Sequence, residues 1–414
     1  MTYTEPLSYW QATLPTEPLP ADALPAKAKV VVIGGGILGA ATALWLARAG
    51  ASPVLIEREA LAAGASGRNG GLVVPGTAEA YPAAIARHGH QAAREVWALT
   101  VAGLAQLDTL IAEESISCDH RLVGSLSLAL DEDQFAQHAR TVEQLRADGF
   151  AAELLDRAAV QELVKTPLGP QIVGAKYLPQ GRALHSARLV RGLAEAARRH
   201  GAFLCTGVEA LSVAVDGAGL KIVTSAGSLH AEAAVVALNA WSARLLPELA
   251  GLITPVRGQI LAYEPLPPLF PTPIGVGLTP TGEYWQQTPA GSVVIGGYRA
   301  LAPGGDVGIT EVTGTPEVHR AIEGVLPQLF PTIGLLAVAR RWAGTMGFSP
   351  DYLPLAGRMG ELPLWFAGGF SGHGMPFGLP LGQLLAEAAL NGVTPTALAP
   401  FSRDRLAASR TSKV

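Results

Sequence analysis

Apolar positions mark out the first element of the chain. Lys29 is followed by Val30-Val31-Val32-Ile33, continuous and β-branched rather than alternating, which predicts a parallel strand covered on both faces. Gly34-Gly35-Gly36-Ile37-Leu38-Gly39 comes next, and Ala40 to Ala49 reads as a helix that Gly50 ends. Pro53-Val54-Leu55-Ile56-Glu57 predicts a second strand, ending in an acid. Ala92 to Glu113 and Asp133 to Asp148 repeat apolar residues at helical spacing. Ala231 to Ala237 predicts another buried strand. Glu283-Tyr284-Trp285-Gln286-Gln287 and Ser292-Val293-Val294-Ile295, joined through Pro289-Ala290-Gly291, predict a hairpin. Trp365-Phe366-Ala367-Gly368 leads into Gly369-Phe370-Ser371-Gly372-His373-Gly374, with a helix expected over 379–391.

The first of these units has a mechanical reading. Gly34 permits the tight turn, Gly36 lets a pyrophosphate approach the backbone, and Gly39 lets helix and strand pack closely. Ile37 and Leu38 lie where backbone N–H groups and the positive end of the helix dipole face the phosphates. Glu57, with Arg58 beside it, lies about 20 residues beyond the glycines, placed to accept ribose hydroxyls. An acid there favours a free ribose over a 2′-phosphate, hence FAD or NAD rather than NADP.

Composition narrows the picture. Among 414 residues only 15% are charged, with a net charge of −4, and no basic block resembles a nucleic-acid footprint. Cys118 and Cys205 form no CxxC motif and no disulfide framework, which fits a reducing, cytoplasmic setting. Residues 1–27 carry acids and prolines instead of a signal peptide's basic and apolar regions, and read as a leader strapped on the surface. The uncharged run from Val30 to Ala47 approaches a membrane span in length, but its glycines and β-branched start fit strand–turn–helix, so no membrane span is expected. No metal site is expected.

Just beyond Glu57, Gly64-Ala65-Ser66-Gly67-Arg68-Asn69-Gly70-Gly71 offers many N–H groups, two small polar side chains and one Arg, suited to a second cradle for an anion and a flat ring. A nucleotide fold that returns to its first sheet near 231–237, before Leu238-Asn239-Ala240-Trp241-Ser242, and again near 365–374 is interrupted. NAD-binding domains are more often contiguous.

These segments resemble the FAD-dependent amine and D-amino-acid oxidase family, which includes glycine oxidase, sarcosine oxidase and γ-glutamylputrescine oxidase. The resemblance spans nearly the whole chain. It is carried by Ser8-Tyr9-Trp10, by GASGRNGG at 64–71, by Pro255-Val256-Arg257-Gly258-Gln259, by the stretch from Trp342-Ala343-Gly344 to Pro350-Asp351-Tyr352-Leu353-Pro354-Leu355-Ala356-Gly357, and by GFSGHG at 369–374. It implies an α/β fold. An interrupted FAD-binding Rossmann-like domain would take 28–80, 165–245 and 340–414. An α+β substrate domain with an antiparallel sheet would take 81–164 and 246–339. It further implies that Val208, Asn239, Trp241, Gly344, Gly369, Ser371, Gly372, His373, Gly374 and Met375 join the cofactor site.

Amine oxidation by such a cofactor needs little acid–base equipment, since the protein mainly orients the substrate and supplies electrostatics. A helix after Pro380, entered through the GFSGHG turn, would stabilise charge gathering at flavin N1 and C2=O. His373 is the titratable group within that turn, either bonding flavin or substrate, deprotonating the amine, or bonding only backbone. Tyr284, Trp285, Tyr298 and Phe377 are candidates for an aromatic wall.

Departures from the family bear on substrate. Thr345 stands where sarcosine oxidase attaches its flavin to Cys, so FAD is expected to be noncovalent. Met346 stands where glycine oxidase holds the substrate carboxylate with Arg, and Pro376 where sarcosine oxidase has Lys. Arg68, Arg182 and Arg299 are the substitutes available, Arg299 foremost. Val294 matches the position of an oxygen-activating Lys, and none of the chain's lysines fits that role. The expected function is oxidation of a primary or secondary amine to an imine, with O2 or another acceptor taking the electrons. The alternative is a D-amino-acid oxidase or dehydrogenase that holds carboxylate through an Arg. An NAD-dependent dehydrogenase and a flavoprotein scaffold without turnover are the readings from other classes.

Overall fold

The structure is a computed structural model describing residues 4–17 and 19–406. Two eight-stranded sheets carry it. In the first, Lys27–Ile33 is central, pairing in parallel with Val54–Glu57 on one side and Gly227–Val236 on the other. Phe203–Thr206 extends the parallel set beyond Val54–Glu57, and Leu364–Gly368 pairs in parallel with the end of Gly227–Val236. Antiparallel strands Ala210–Asp216, Gly219–Thr224 and Leu355–Arg358 complete it. The continuous apolar run is explained by cover on both sides. Val30, Val32 and Leu55 pack with helices Ile37–Arg48, Ser186–Arg199 and Gly374–Asn391, while Val31, Ile33, Val54 and Ile56 pack in a separate cluster on the opposite face.

Two helices begin earlier than their sequence patterns predict. Ile37–Arg48 starts inside the glycine motif. Gly374–Asn391 starts at the last glycine of GFSGHG, with Pro380 in its interior. Pro376 falls in the first turn, where backbone N–H groups have no intrahelical acceptor and none is lost. The two helices cross at close range: a Cβ at Gly378 would lie 2.7 Å from Ile37 Cγ1, and one at Gly382 2.9 Å from Ala41 Cβ.

The second sheet runs Val338–Phe348, Thr254–Tyr263, Val293–Gly296, Glu283–Gln287, Ile274–Val276, Ser125–Ala129, Gly174–Leu178, Glu153–Asp156. All its pairings are antiparallel except that of Ile274–Val276 with Ser125–Ala129. The predicted hairpin at 283–296 is here. Gly174–Leu178 and Val338–Phe348 hydrogen-bond into this sheet, although the expected boundaries put 174–178 and 340–348 with the FAD-binding segments. A short alternating strand fits either sheet, and only the pairing partner decides.

Helix His90–Glu113 is long and apolar enough to cross a membrane by length and composition alone. Its buried residues Val96, Gly103, Leu104, Leu107 and Leu110 pack inside the fold, with Gly103 close against Pro376 and Pro380.

The leader is not merely laid on the surface. Ser8 caps the short helix Tyr9–Ala12 in a capping box, and Trp10 is 1% exposed. Trp10 Nε1 donates to Asn69 O (2.6 Å), and Gln11 Nε2 donates to Ala62 O and Ala63 O (2.9 and 3.0 Å). This turn therefore holds the loop 62–71 from outside. Trp10→Ala should cost about 3–5 kcal/mol of stability, as large-to-small changes at buried aromatics do, and should loosen the loop 62–71. Thermal unfolding and limited proteolysis of that loop would read both, and an unchanged melting temperature would refute the clamp.

Candidate active site

A continuous cavity of about 1170 Å³ lies between the two sheets. Its lining includes nearly every residue singled out for the cofactor: Gly34, Gly36, Ile37, Leu38, Glu57, Arg58, Gly64, Ala65, Ser66, Arg68, Asn69, Gly70, Val208, Asn239, Trp241, Gly344, Ser371, Gly372, His373, Gly374 and Met375. Gly39, Gly71 and Gly369 stand behind the wall. A Cβ at Gly39 would fall 1.8 Å from Gly34 O, so this glycine permits the helix–strand approach rather than touching a ligand. Gly71 makes room for Gln286, and Gly369 N–H donates to Asn239 Oδ1 (2.9 Å), tying the GFSGHG turn to the end of the central sheet.

At one end, the Glu57 carboxylate accepts from Gly35 N–H (2.7 Å) and Glu59 N–H (2.8 Å). Burial raises its pKa against the pull of those two bonds. Its remaining lone pairs suit ribose hydroxyls. Ser66 Oγ accepts from Ile37 N–H (2.9 Å), so an oxygen acceptor already sits at the first helix turn, where the dipole favours the oxygens of a pyrophosphate. Asn69 closes its own loop, donating to Ala65 O and Ser66 O and accepting from Gly71 N–H. Arg244 stacks over Trp241, 4.3 Å from the ring centroid.

Farther along, both helix N-termini, at Ile37 and Gly374, open into the same cavity. His373 lines it with a buried Nδ1 that has no hydrogen-bond partner. Burial, helped by the Lys176 ammonium, pushes its pKa down to about 4, so the imidazole is neutral at ordinary pH. An orphaned acceptor or donor beside an N-terminus fits the polar edge of a flavin ring. With the glycine cradles and Glu57, the residues present fit FAD.

The far end is a chamber over the second sheet. Tyr284, Met346, Phe348, Tyr352, Arg299 and Lys176 line it. Trp285, expected in the aromatic wall, is fully buried against Phe270 and Phe330, because alternation along the strand sends Tyr284 to the cavity and its neighbour to the core. Phe377 packs in the core with Phe401, and Tyr298 lies against the core behind the sheet, neither lining the chamber. Phe348 and Tyr352 stand in their place. The Tyr284 ring fits because Gly70 and Gly296 leave space: a Cβ on either would come within 2.7 Å of it.

The three candidate arginines separate cleanly. Arg68 donates to Ala63 O, Ala343 O and Pro6 O (3.0, 3.0 and 2.7 Å) and is spent on loop architecture. Arg182 is bound to Asp108, with Nη2–Oδ2 at 2.5 Å. Arg299 lies over Phe348, 5.0 Å from the centroid, and its guanidinium has no ion pair and no hydrogen bond among the described residues. Burial lowers its proton affinity, yet a guanidinium stays charged. The segment after it is fixed by Asp306, whose carboxylate accepts from Arg257 (3.0 and 2.6 Å) and Gln259 Nε2 (2.7 Å).

Lys176 lines the chamber, although none of the chain's lysines is expected there. The available signal was a charged residue in an otherwise apolar strand, Gly174-Ala175-Lys176-Tyr177-Leu178. Arg87 also lines the cavity, but it is held by Glu79 (2.8 Å).

A family model described as FAD dependent oxidoreductase matches residues 29–388. Gamma-glutamylputrescine oxidoreductase of Escherichia coli (strain K12) is 27% identical over 373 residues, covering 86% of this chain and 82% of that protein. Glycine oxidase of Geobacillus kaustophilus (strain HTA426) is 26% identical over 389 residues, 91% of this chain and 96% of that one. The fold likeness agrees: the crystal structure of glycine oxidase from Geobacillus kaustophilus gives a TM-score of 0.79 at 23% identity over 91% of this chain and 98% of the other. With the cavity's fingerprint residues inside the matched span, the chain belongs to the FAD-dependent oxidoreductase family and its cofactor is FAD.

Proposed function

We propose that this enzyme oxidises the C–N bond of an amine to an imine, which water then hydrolyses. One observation supports this most: a single cavity joins the dinucleotide cradle to a walled chamber holding a neutral His373, the Tyr284 hydroxyl and an unpaired Arg299. FAD, when bound, supplies the acceptor for the hydride that leaves the substrate carbon. The substrate nitrogen loses a proton to water as C=N forms, and the neutral ring of His373, which burial and Lys176 keep from taking that proton, is proposed to accept a hydrogen bond from the substrate N–H and orient it. Tyr284, whose hydroxyl burial pushes up to about 12, keeps its proton and serves as a donor. The helix N-terminus at Gly374 favours negative charge at the cofactor's facing edge.

Arg299 favours the second reading of substrate, an amine that carries a carboxylate. A guanidinium left without an anion in a half-buried chamber is the complement that such a group needs. Relatives named for a putrescine conjugate and for glycine accord with either form. Molecular oxygen is the proposed final acceptor, giving hydrogen peroxide. FAD is proposed to be noncovalent: Thr345 donates to Thr310 O, and both cysteines are free and buried away from the cavity lining. The free thiols also support a reducing, cytoplasmic location.

A panel of amines and D-amino acids, read by peroxide release in air and by flavin bleaching without air, tests the reading. At least one carboxylate-bearing amine should bleach the flavin. Bleaching by none would refute the proposal, and bleaching without peroxide would make the enzyme a dehydrogenase. Acid precipitation should leave a colourless pellet.

A further inference from the structure

The chamber floor is a single row across the second sheet. Lys176 stands opposite Ser127, Ser127 opposite Gly275, Gly275 opposite Tyr284, and Tyr284 opposite Gly296. Lys176, Ser127, Gly275 and Tyr284 all line the cavity, while their chain neighbours Ala175, Ile274 and Trp285 belong to the core behind the sheet. Adjacent strands lie about 4.8 Å apart, so three steps separate Lys176 from Tyr284 by about 14 Å of backbone. Between them Gly275 carries no side chain, and the floor is open. Arg299 rises at the other end of the row, just past Gly296 and Gly297.

The charges in this space do not balance. Among the described residues, the Lys176 ammonium makes no ion pair and no hydrogen bond, and neither does the Arg299 guanidinium. Of the acids nearby, Asp306 acts on Arg299 only from a distance and is held by Arg257 and Gln259, Glu79 is held by Arg87, and Glu57, Glu59 and Glu209 lie at the nucleotide end beside Gly35, Arg58 and Val208. Burial pushes the Lys176 ammonium down to about 8, and the charge it retains helps keep His373 neutral. A half-buried cation that faces the cavity without a counter-charge is placed to meet an anionic group of a ligand.

We propose that Lys176 is a second anion site, and that the substrate is an amine bearing two acidic groups, one on Arg299 and one reaching across the Gly275 floor to Lys176. This rests on the amine-oxidising reading and narrows it. The class is a dicarboxylic amino acid or an amine with a carboxyl-bearing chain on each side of nitrogen. A polycation is disfavoured by the same two charges.

The test uses the flavin-loaded enzyme, the variants Lys176→Met and Lys176→Arg, and two measurements. The first is binding of glutarate, which cannot be oxidised at nitrogen, read as a perturbation of the bound flavin spectrum. Lys176→Met should weaken it roughly 30-fold or more, as truncating one partner of a buried charge pair does, and Lys176→Arg should restore most of it. The second is kcat/KM for matched pairs, D-glutamate against D-glutamine and iminodiacetate against sarcosine. Lys176→Met should reduce the preference for the dicarboxylate in whichever pair turns over. Melting temperature and flavin content monitor folding. Equal glutarate affinity in wild type and Lys176→Met, or no glutarate binding by wild type, overturns the second anion site whatever the turnover result. Glutarate binding that depends on Lys176, without bleaching by any amine, would instead overturn the amine-oxidising reading.

Discussion

Arg299→Ala should lower kcat/KM for the carboxylate-bearing substrate by between about 30-fold and a few thousand-fold, the 2–5 kcal/mol typical of truncating one partner of a buried charge pair. The loss is large because, among the described residues, no other unpaired cation stands at this end of the chamber, Lys176 lying across the Gly275 floor. Arg68 and Arg182 are committed to backbone carbonyls and to Asp108, and Met346 contributes no charge. The defect should fall mainly on KM, since carboxylate and guanidinium face each other equally in ground and transition states. Arg299→Lys should recover only part, because an ammonium lacks the planar fork and the stacking on Phe348. Steady-state kinetics with a carboxylate-bearing amine and its decarboxylated analogue decide the matter. An equal loss with both would show that Arg299 does not read the carboxylate.

Asp306→Ala should destabilise the fold by about 3–5 kcal/mol, as removal of one partner from a buried ion pair does. Asp306 is 1% exposed and Arg257 8%. Without the carboxylate, Arg257 keeps only Thr313 O (2.5 Å), and Gln259 Nε2 loses its closest acceptor. Asp306→Asn should cost less. It keeps an acceptor oxygen, and asparagine tolerates the left-handed backbone found there at φ +60°. Replacing Arg257 and Asp306 together by apolar residues of similar volume should be milder than Asp306→Ala, because no charge is then stranded. Chemical denaturation of the three variants measures the order. A cost below about 1 kcal/mol for Asp306→Ala would mean that water reaches Arg257 and that the pair is not buried in solution.

The nucleotide end was legible because its chemistry is local. The strand, the glycines, the first helix turn and Glu57 fall within a short stretch, and each residue's type is dictated by one backbone contact. The chamber was less legible. Tyr284 and Trp285 are neighbours in one strand, and sequence cannot say which parity faces the cavity until the pairing with Ile274–Val276 is known. Arg68 lies in the cavity wall, but its donors are spent on Ala343 O and Pro6 O, acceptors that lie far away in sequence. Lys176 was invisible because its role depends on what is missing nearby, and only the assembled fold shows an absent counter-charge.

The central sheet is stitched from segments that begin at residue 27 and end at residue 368, and the helix opening onto the cavity begins only at 374. During synthesis, most of the chain must emerge before the nucleotide cradle has its floor, its rim and its second dipole. Such distant pairings close slowly. Flavin should therefore be captured late, by a nearly complete molecule. When flavin runs short, newly made chains should stay without the ligand that bridges these distant segments, and flavin supply would then set the enzyme's abundance as well as its activity.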